Sequence, residues 1–121
     1  MTGSQNNYKH KPYVMLKIKR IIKNNYQRCK YGISDEDIYS LDTHLAKIIS
    51  IGCKQLANNK LGHPHDMEGK NYEEKQEQWV CILNQISHDF NEYSQNSLFD
   101  VTDSFKESMK LFQKYFPSLW D

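Results

Sequence analysis

The segment Ser34–Pro64 has the strongest helical pattern in the chain and constrains the fold most. Its large apolar residues recur at steps of three and four, which places them on one face of an α-helix. These residues are Ile38, Leu41, Leu45, Ile48, Ile49 and Leu56. Ser34 suits the N-cap, with carboxylates in the first turn, and Gly62 and Pro64 are stop signals. The sequence therefore predicts one long helix across this segment, with Ser40 as a candidate cap at an internal kink.

Three further stretches have helical spacing. A basic amphipathic helix is predicted from Tyr13 to Lys30, with Pro12 suited to its first turn, whereas residues 1–7 are polar and expected to be flexible. A third helix is predicted after Asn71, which can cap it, and carries Trp79, Ile82, Leu83, Ile86, Phe90 and Tyr93. After a polar break at Ser94–Ser97, a fourth carries Leu98, Val101, Phe105, Met109, Phe112 and Phe116. The predicted fold is all-α: residues 1–121 form a single-domain bundle of about four helices. Trp120, beyond the last helix, is expected to dock on this body.

Composition narrows the class of protein. The chain has 121 residues, enough for one modest core. No apolar run reaches the length of a membrane span, and the N-terminus has no apolar segment typical of a signal peptide. Three widely spaced cysteines without a CxxC pair indicate free thiols in a reducing cytoplasm. Cys53 and Cys81 lie on apolar helix faces, so we expect packed thiols rather than nucleophiles.

Charge is distributed unevenly along the chain. Residues 1–34 contain eight Lys and Arg and no Asp or Glu, whereas residues 35–121 contain eight Lys and Arg and fifteen Asp and Glu. Either the two parts neutralise each other within the fold, or the basic part faces an anionic partner or a second copy of the chain. The basic segment Lys17–Lys30 interleaves cations with tyrosines, a pattern that also suits phosphates and stacked bases. A nucleic-acid-binding accessory protein is therefore one alternative function.

The histidines suggest a possible metal site. His63 and His65 flank Pro64 in the loop Asn58–Tyr72, and His44 and His88 lie in predicted helices. Imidazole and carboxylate ligands suit zinc, manganese or iron, so a small metal-dependent hydrolase is a second alternative if these side chains converge. No HExxH, GxSxG or phosphate-loop motif supports it, and solvated histidines are the simpler interpretation. We therefore assign no catalytic residue, metal or cofactor.

The order of these motifs resembles a family of small uncharacterised bacteriophage proteins. The resemblance rests on KYGISDEDIYSLDTHLAKIISIG, LGHP, EEKQEQW and the closing aromatic helix, and covers about residues 14–121. The matching positions are Gly32, Ser34, Asp35, Asp37, Leu41, Asp42, Leu45, Ala46, Gly62, Pro64 and Trp79. Two positions differ: Tyr39 stands where the family has Trp, and His63 where it has Tyr. The resemblance implies a phage origin and a mostly helical fold.

A small phage protein without catalytic motifs is expected to bind rather than react. The favoured function is a non-enzymatic accessory protein in the host cytoplasm that inhibits or sequesters a host factor. That factor is either a host defence protein or a nucleotide-derived signalling molecule, bound by a chain that can form a homo-oligomer. The candidate contact residues are Lys19, Lys23, Tyr26, Arg28, Tyr31, His63 and His65.

Overall fold

The computed structural model describes residues 2–59, 62–96 and 101–120, with side chains from residue 13 onward. Its elements are α1 (Thr2–Tyr31), α2 (Asp35–Tyr39), α3 (Leu41–Asn59), α4 (Tyr72–Gln95), α5 (Asp103–Tyr115) and a 3₁₀ turn at Phe116–Ser118. These ranges contain no β-strand, so the predicted all-α helical class is confirmed. The chain divides into two compact units, Met1–Leu41 and Asp42–Asp121.

Helix α1 is longer than the sequence indicated. It begins at Thr2 and continues through Pro12, where the missing N–H removes one hydrogen bond of the helix. The residues before Pro12 have no apolar periodicity, which is why the pattern placed the start at Tyr13. The helix ends at Gly32, whose left-handed φ of 82° suits glycine and whose N–H donates to the Arg28 carbonyl at 2.9 Å.

The predicted long helix after Ser34 is instead two helices, α2 and α3. Ser34 caps α2 as expected: its hydroxyl accepts from the Asp37 N–H at 3.2 Å, and the Asp37 carboxylate accepts from the Ser34 N–H at 3.0 Å. Ser40 then leaves the helical region, with φ −124° and ψ 56°. The single-helix prediction was wrong because apolar spacing continues across a backbone break that one serine accommodates.

The core of the unit Asp42–Asp121 is built on α4. Four residues of its predicted apolar stripe are buried: Leu83 and Ile86 are fully inaccessible, and Phe90 and Trp79 are 2% and 6% exposed. Ile82 and Tyr93 are partly buried against them. The Phe90 ring packs against Phe105 of α5 at a centroid distance of 5.0 Å. Helix α5 begins at Asp103, where the Thr102 hydroxyl accepts from the Phe105 N–H at 3.1 Å. The predicted helix start at Leu98 lies outside the described residues.

Helix α3 packs mainly by its small residues, and of the predicted apolar face Ile49 and Leu56 are partly buried against the core. The buried positions are Ala46, Ser50, Cys53 and Ala57. Ser50 Oγ donates to the Ser87 carbonyl and Ser87 Oγ donates to the Ser50 carbonyl, each at 2.7 Å, which joins α3 to α4. Small side chains let the two backbones approach closely enough for these bonds. Leu45 and Ile48, part of the predicted apolar face, are 46% and 53% exposed.

Candidate functional site

The acidic residues of α2 engage the basic face of α1. Arg28 donates to both carboxylate oxygens of Asp37, through Nε at 2.8 Å and Nη2 at 2.7 Å. This hydrogen bonding raises the pKa of Arg28. Two further pairs link Arg20 to Glu36 at 2.9 Å and Lys23 to Asp35 at 3.8 Å. Neutralisation within the chain, one of the two expected outcomes for the charge asymmetry, therefore occurs at these positions.

The remaining candidate residues of α1 stay at the surface. Tyr26 and Tyr31 are 59% and 66% exposed, and Lys30 Nζ lies 5.7 Å and 5.3 Å from their ring centroids. Lys17 and Lys19 are both exposed, and neither forms a salt bridge with any side chain that the structure describes. Of the predicted contact residues on α1, Lys23 and Arg28 thus pair with α2, and the others do not.

The face of α1 opposite α2 is an uncovered apolar stripe. At about 100° per residue, the α2-contacting positions Arg20, Asn24, Gln27 and Arg28 lie on one side of the helix. The apolar stripe lies on the other and consists of Val14, Met15, Ile18, Ile21 and Ile22. Its members are 47–62% exposed, so together they form a contiguous apolar surface.

A cavity of about 470 Å³ lies beside the loop that precedes α4. We call it the tryptophan cavity; its lining consists of Gly62, His63, Pro64, His65, Asp66, Trp79, Ser118 and Trp120. It brings together the two predicted loop histidines. Trp79 is 6% exposed, whereas Trp120 is 75% exposed, so the expected docking of Trp120 on the body is wrong. A tail residue this close to the chain end carries no periodicity that predicts its environment.

His63 is held in a defined orientation within that lining. Its ring lies 4.9 Å from the Tyr72 ring, and Nδ1 is 3.0 Å from the Pro64 carbonyl oxygen. A carbonyl only accepts, so Nδ1 carries the hydrogen, and in the neutral ring Nε2 is an acceptor. Nε2 is buried, and no hydrogen-bond partner for it exists among the described residues. A buried acceptor without a donor is costly, so this atom calls for an explanation.

The histidines weighed for a metal site are not brought together. His63 and His65 line the tryptophan cavity, whereas His88 lines a different cavity of about 270 Å³. Across residues 2–59, 62–96 and 101–120, no group of three or more His, Cys, Asp or Glu is placed to hold a metal ion. The convergence that a metal-dependent hydrolase requires is therefore absent from the described part of the chain.

The cysteines differ in environment. Cys53 is 3% exposed, and desolvation raises its pKa to about 11, so the thiol stays protonated at neutral pH. The packed thiol expected there is confirmed. Cys81 is exposed despite its place in an apolar pattern, which corrects the expectation for that residue.

Sequence reasoning missed the polar cluster between α4 and α5. Asp89 is only 7% exposed and accepts from Ser104 Oγ at 2.9 Å on each carboxylate oxygen; Ser108 Oγ, fully buried, also donates to it. The serines come from a helix whose polar positions looked solvated in the sequence. A carboxylate within the apolar stripe of α4 is the one signal that pointed to it.

No family model, curated protein or solved structure matches this chain. None of the described helices is both long and apolar enough to cross a membrane.

Proposed function

We propose that this chain is a small non-enzymatic accessory protein of phage origin that captures a host protein, such as a defence protein, on the apolar stripe of α1. The observation that supports this is the exposure of five large apolar side chains on the face opposite α2. Exposed apolar surface of this kind marks protein interaction sites. Host cytoplasm is the proposed place of action, in keeping with the three free cysteines.

The charges beside the stripe favour a particular kind of partner. Lys17 and Lys19 lie at its two edges, and α1 has no acidic residue in its first turn. Cations on both edges repel a second copy of α1 and attract a helix flanked by carboxylates, as charged flanking positions do in coiled coils. The proposed partner surface is an acidic amphipathic helix. The nucleic-acid alternative is less well supported, because Arg20, Lys23 and Arg28 are already paired with carboxylates.

The test is affinity capture from host lysate with a stripe variant and a matched control. Ile18→Glu with Ile22→Glu places charge in the middle of the stripe, and each side chain has about half of its surface left to bury. We expect a loss of binding of about tenfold to a hundredfold for the double variant. Tyr39→Ala removes a side chain that is 92% exposed on α2 and should bind as the unaltered protein does.

The same experiment separates the alternatives. A partner retained equally by the double variant would contradict capture on the stripe. Salt-sensitive binding of oligonucleotides that is lost when Lys17 and Lys19 are neutralised would favour the nucleic-acid function instead. Native mass spectrometry of the purified chain reports whether it forms the homo-oligomer expected from the sequence, and circular dichroism confirms that the variants keep their helix content.

A second candidate is capture of a nucleotide-type small molecule in the tryptophan cavity. The observation in its favour is that His63 and His65, selected from sequence as ligand contacts, line one cavity together with both tryptophans of the chain. Its size falls within the range of about 300–1,000 Å³ that small-molecule sites occupy.

A further inference from the structure

The side of α3 that points away from the core carries an exposed apolar patch. We call it the outer face of α3; it consists of Leu45, Ile48, Ile51 and Gly52. Its three large side chains are 46–53% exposed, so each has about half of its surface left to bury. The charged residues of α3 nearest to Gly52, Lys47 and Lys54, lie about 140–160° around the helix from it. Two identical faces would therefore meet without repulsion between like charges.

Gly52 lies at the centre of this face, where the described chain does not require a glycine. It is inside a regular helix, and a Cβ added to it would meet no described atom within 4 Å. Glycine destabilises a helix interior relative to alanine, so a residue with a side chain would suit the isolated chain better. An exposed glycine on a helix lets another backbone approach closely. The residue thus indicates a close contact from outside the chain.

A groove beside the outer face can receive a side chain from such a contact. It has a volume of about 390 Å³ and lies between α3 and the end of α5. We call it the α3–α5 groove; its lining consists of Ile49, Gly52, Cys53, Leu56, Phe112, Phe116 and Leu119. The outer face supplies projecting apolar side chains, and the groove supplies an apolar recess next to them. A patch with both features is complementary to a second copy of itself across a two-fold axis.

The exposed area of this patch is close to what a dimer needs. A standard interface takes about 800 Å² from each partner, of which somewhat more than half is apolar. Phe116 of the groove is 62% exposed. Together with the outer face it leaves roughly 300–400 Å² of apolar side-chain surface to be buried in each copy. This area suits a reversible dimer at the smaller end of the range.

We propose that two copies of this chain pair through the outer face of α3, antiparallel about a two-fold axis at Gly52, with Ile48 of each copy entering the α3–α5 groove of the other. The two glycines then meet at the crossing. Ile48, four residues before it, lies beside Leu56 of the second copy, four residues after it. The inference assigns a surface to the homo-oligomer expected from the sequence. It uses only the unit Asp42–Asp121 and is independent of partner capture by α1.

Sedimentation equilibrium of the full-length protein measures the pairing. We expect a reversible monomer–dimer equilibrium with a dissociation constant of about 1–100 μM. Ile48→Glu places an unpaired carboxylate in the groove twice per dimer and should raise the dissociation constant about a hundredfold or more. Lys47→Glu is the matched control, because it adds the same carboxylate one residue away and off the outer face. It should change the dissociation constant by no more than about twofold.

Gly52→Leu distinguishes a specific crossing from general apolar association. The single chain has room for the added side chain and leucine favours a helix, so the variant monomer should be at least as stable as the unaltered one. In the dimer the leucines would hold the two backbones apart, so the dissociation constant should rise about tenfold or more. Association driven by apolar area alone would instead become tighter.

A cysteine cross-link tests the two-fold axis. Cys29→Ser with Cys81→Ser first removes the two exposed thiols. In that background Gly52→Cys brings the two new thiols together at the crossing, and a mild oxidant such as diamide should join the copies by a disulfide. Asn58→Cys, exposed on the same helix but off the outer face, should remain unlinked.

Four outcomes would overturn the inference. These are a single monomeric species up to about 1 mM, equal dissociation constants for Ile48→Glu and Lys47→Glu, tighter association of Gly52→Leu, and no disulfide-linked dimer from Gly52→Cys. Circular dichroism of each variant checks that the helix content is unchanged. Ile48→Glu leaves α1 unaltered, so affinity capture with this variant distinguishes a failure of pairing from a failure of the proposed function.

Discussion

Replacing Asp89 with alanine will show how strongly the buried polar cluster joins α4 to α5. Its carboxylate is 7% exposed and accepts from Ser104 at 2.9 Å and from Ser108. Ser108 is fully buried in the native structure, so its hydroxyl depends on partners within the protein. Its other contact, the Gln85 carbonyl at 3.4 Å, is too long to compensate.

The expected loss follows from these contacts. A hydrogen bond to a charged group contributes about 1.5–3 kcal/mol, and a buried hydroxyl left without a partner costs about 1–3 kcal/mol. Relief of the desolvation of the carboxylate offsets part of this sum. We therefore expect Asp89→Ala to lower the free energy of unfolding by about 2–4 kcal/mol, and Asp89→Asn, which retains one acceptor and the volume, by less than half as much.

Urea denaturation followed by far-ultraviolet circular dichroism measures this difference. Glu92→Ala is the matched control, because Glu92 lies one turn further along α4 and is exposed. A substitution there should change the free energy of unfolding by no more than about 0.5 kcal/mol. If Asp89→Ala were no more damaging than Glu92→Ala, the cluster would not stabilise the helix pair and the reasoning would be wrong.

Three further predictions follow from the described contacts. In a thiol-reagent titration at pH 8, the two exposed cysteines should react in the native protein and Cys53 only after unfolding, since a pKa of about 11 leaves it roughly a hundredfold less thiolate than an ordinary cysteine. Ser50→Ala and Ser87→Ala should each cost about 0.5–1.5 kcal/mol, and their double-mutant cycle in urea should give a non-zero coupling energy because the two bonds share one contact. The hydroxyl of Tyr93 donates to Asp42 at 2.6 Å and lowers the pKa of that carboxyl. The stabilisation from this hydrogen bond is therefore present above the pKa of Asp42 in the unfolded chain and is lost as the pH falls through its pKa in the folded protein. Tyr93→Phe should accordingly flatten the fall in stability below about pH 4.

The candidate sites were only partly accessible from the sequence. His63 and His65 were selected because they flank Pro64 in a loop, and the structure does place them in one cavity. Trp79 had been assigned to the core stripe and Trp120 to a docked tail, so their meeting at that cavity was not foreseen. The cavity joins a loop, a helix and the chain end, and no local pattern links such distant positions.

The environment of the basic residues of α1 was likewise only partly predictable from the sequence. Their clustering was evident from composition, but pairing of Arg28 with Asp37 depends on the left-handed turn at Gly32, which folds α2 back on α1. Which cations remain available to a partner is therefore decided by the turn and not by the count of lysines and arginines. Lys23 pairs with Asp35, whereas Lys19 forms no ion pair in the described structure.

The sequence by itself determined the helical class, the helix cap at Ser34 and the one at Asn71, and the buried stripe of α4. These features rest on hydrogen bonds within three or four residues and on a period that every turn repeats, so neighbouring residues suffice to specify them. Tertiary structure alone decided that α3 packs by its alanines and serine, that Asp89 is buried, and that both tryptophans line one cavity. In each case the free energy depends on close approach between residues distant in the chain, and size, shape and hydrogen-bond geometry at that contact override the hydrophobic pattern of either segment alone.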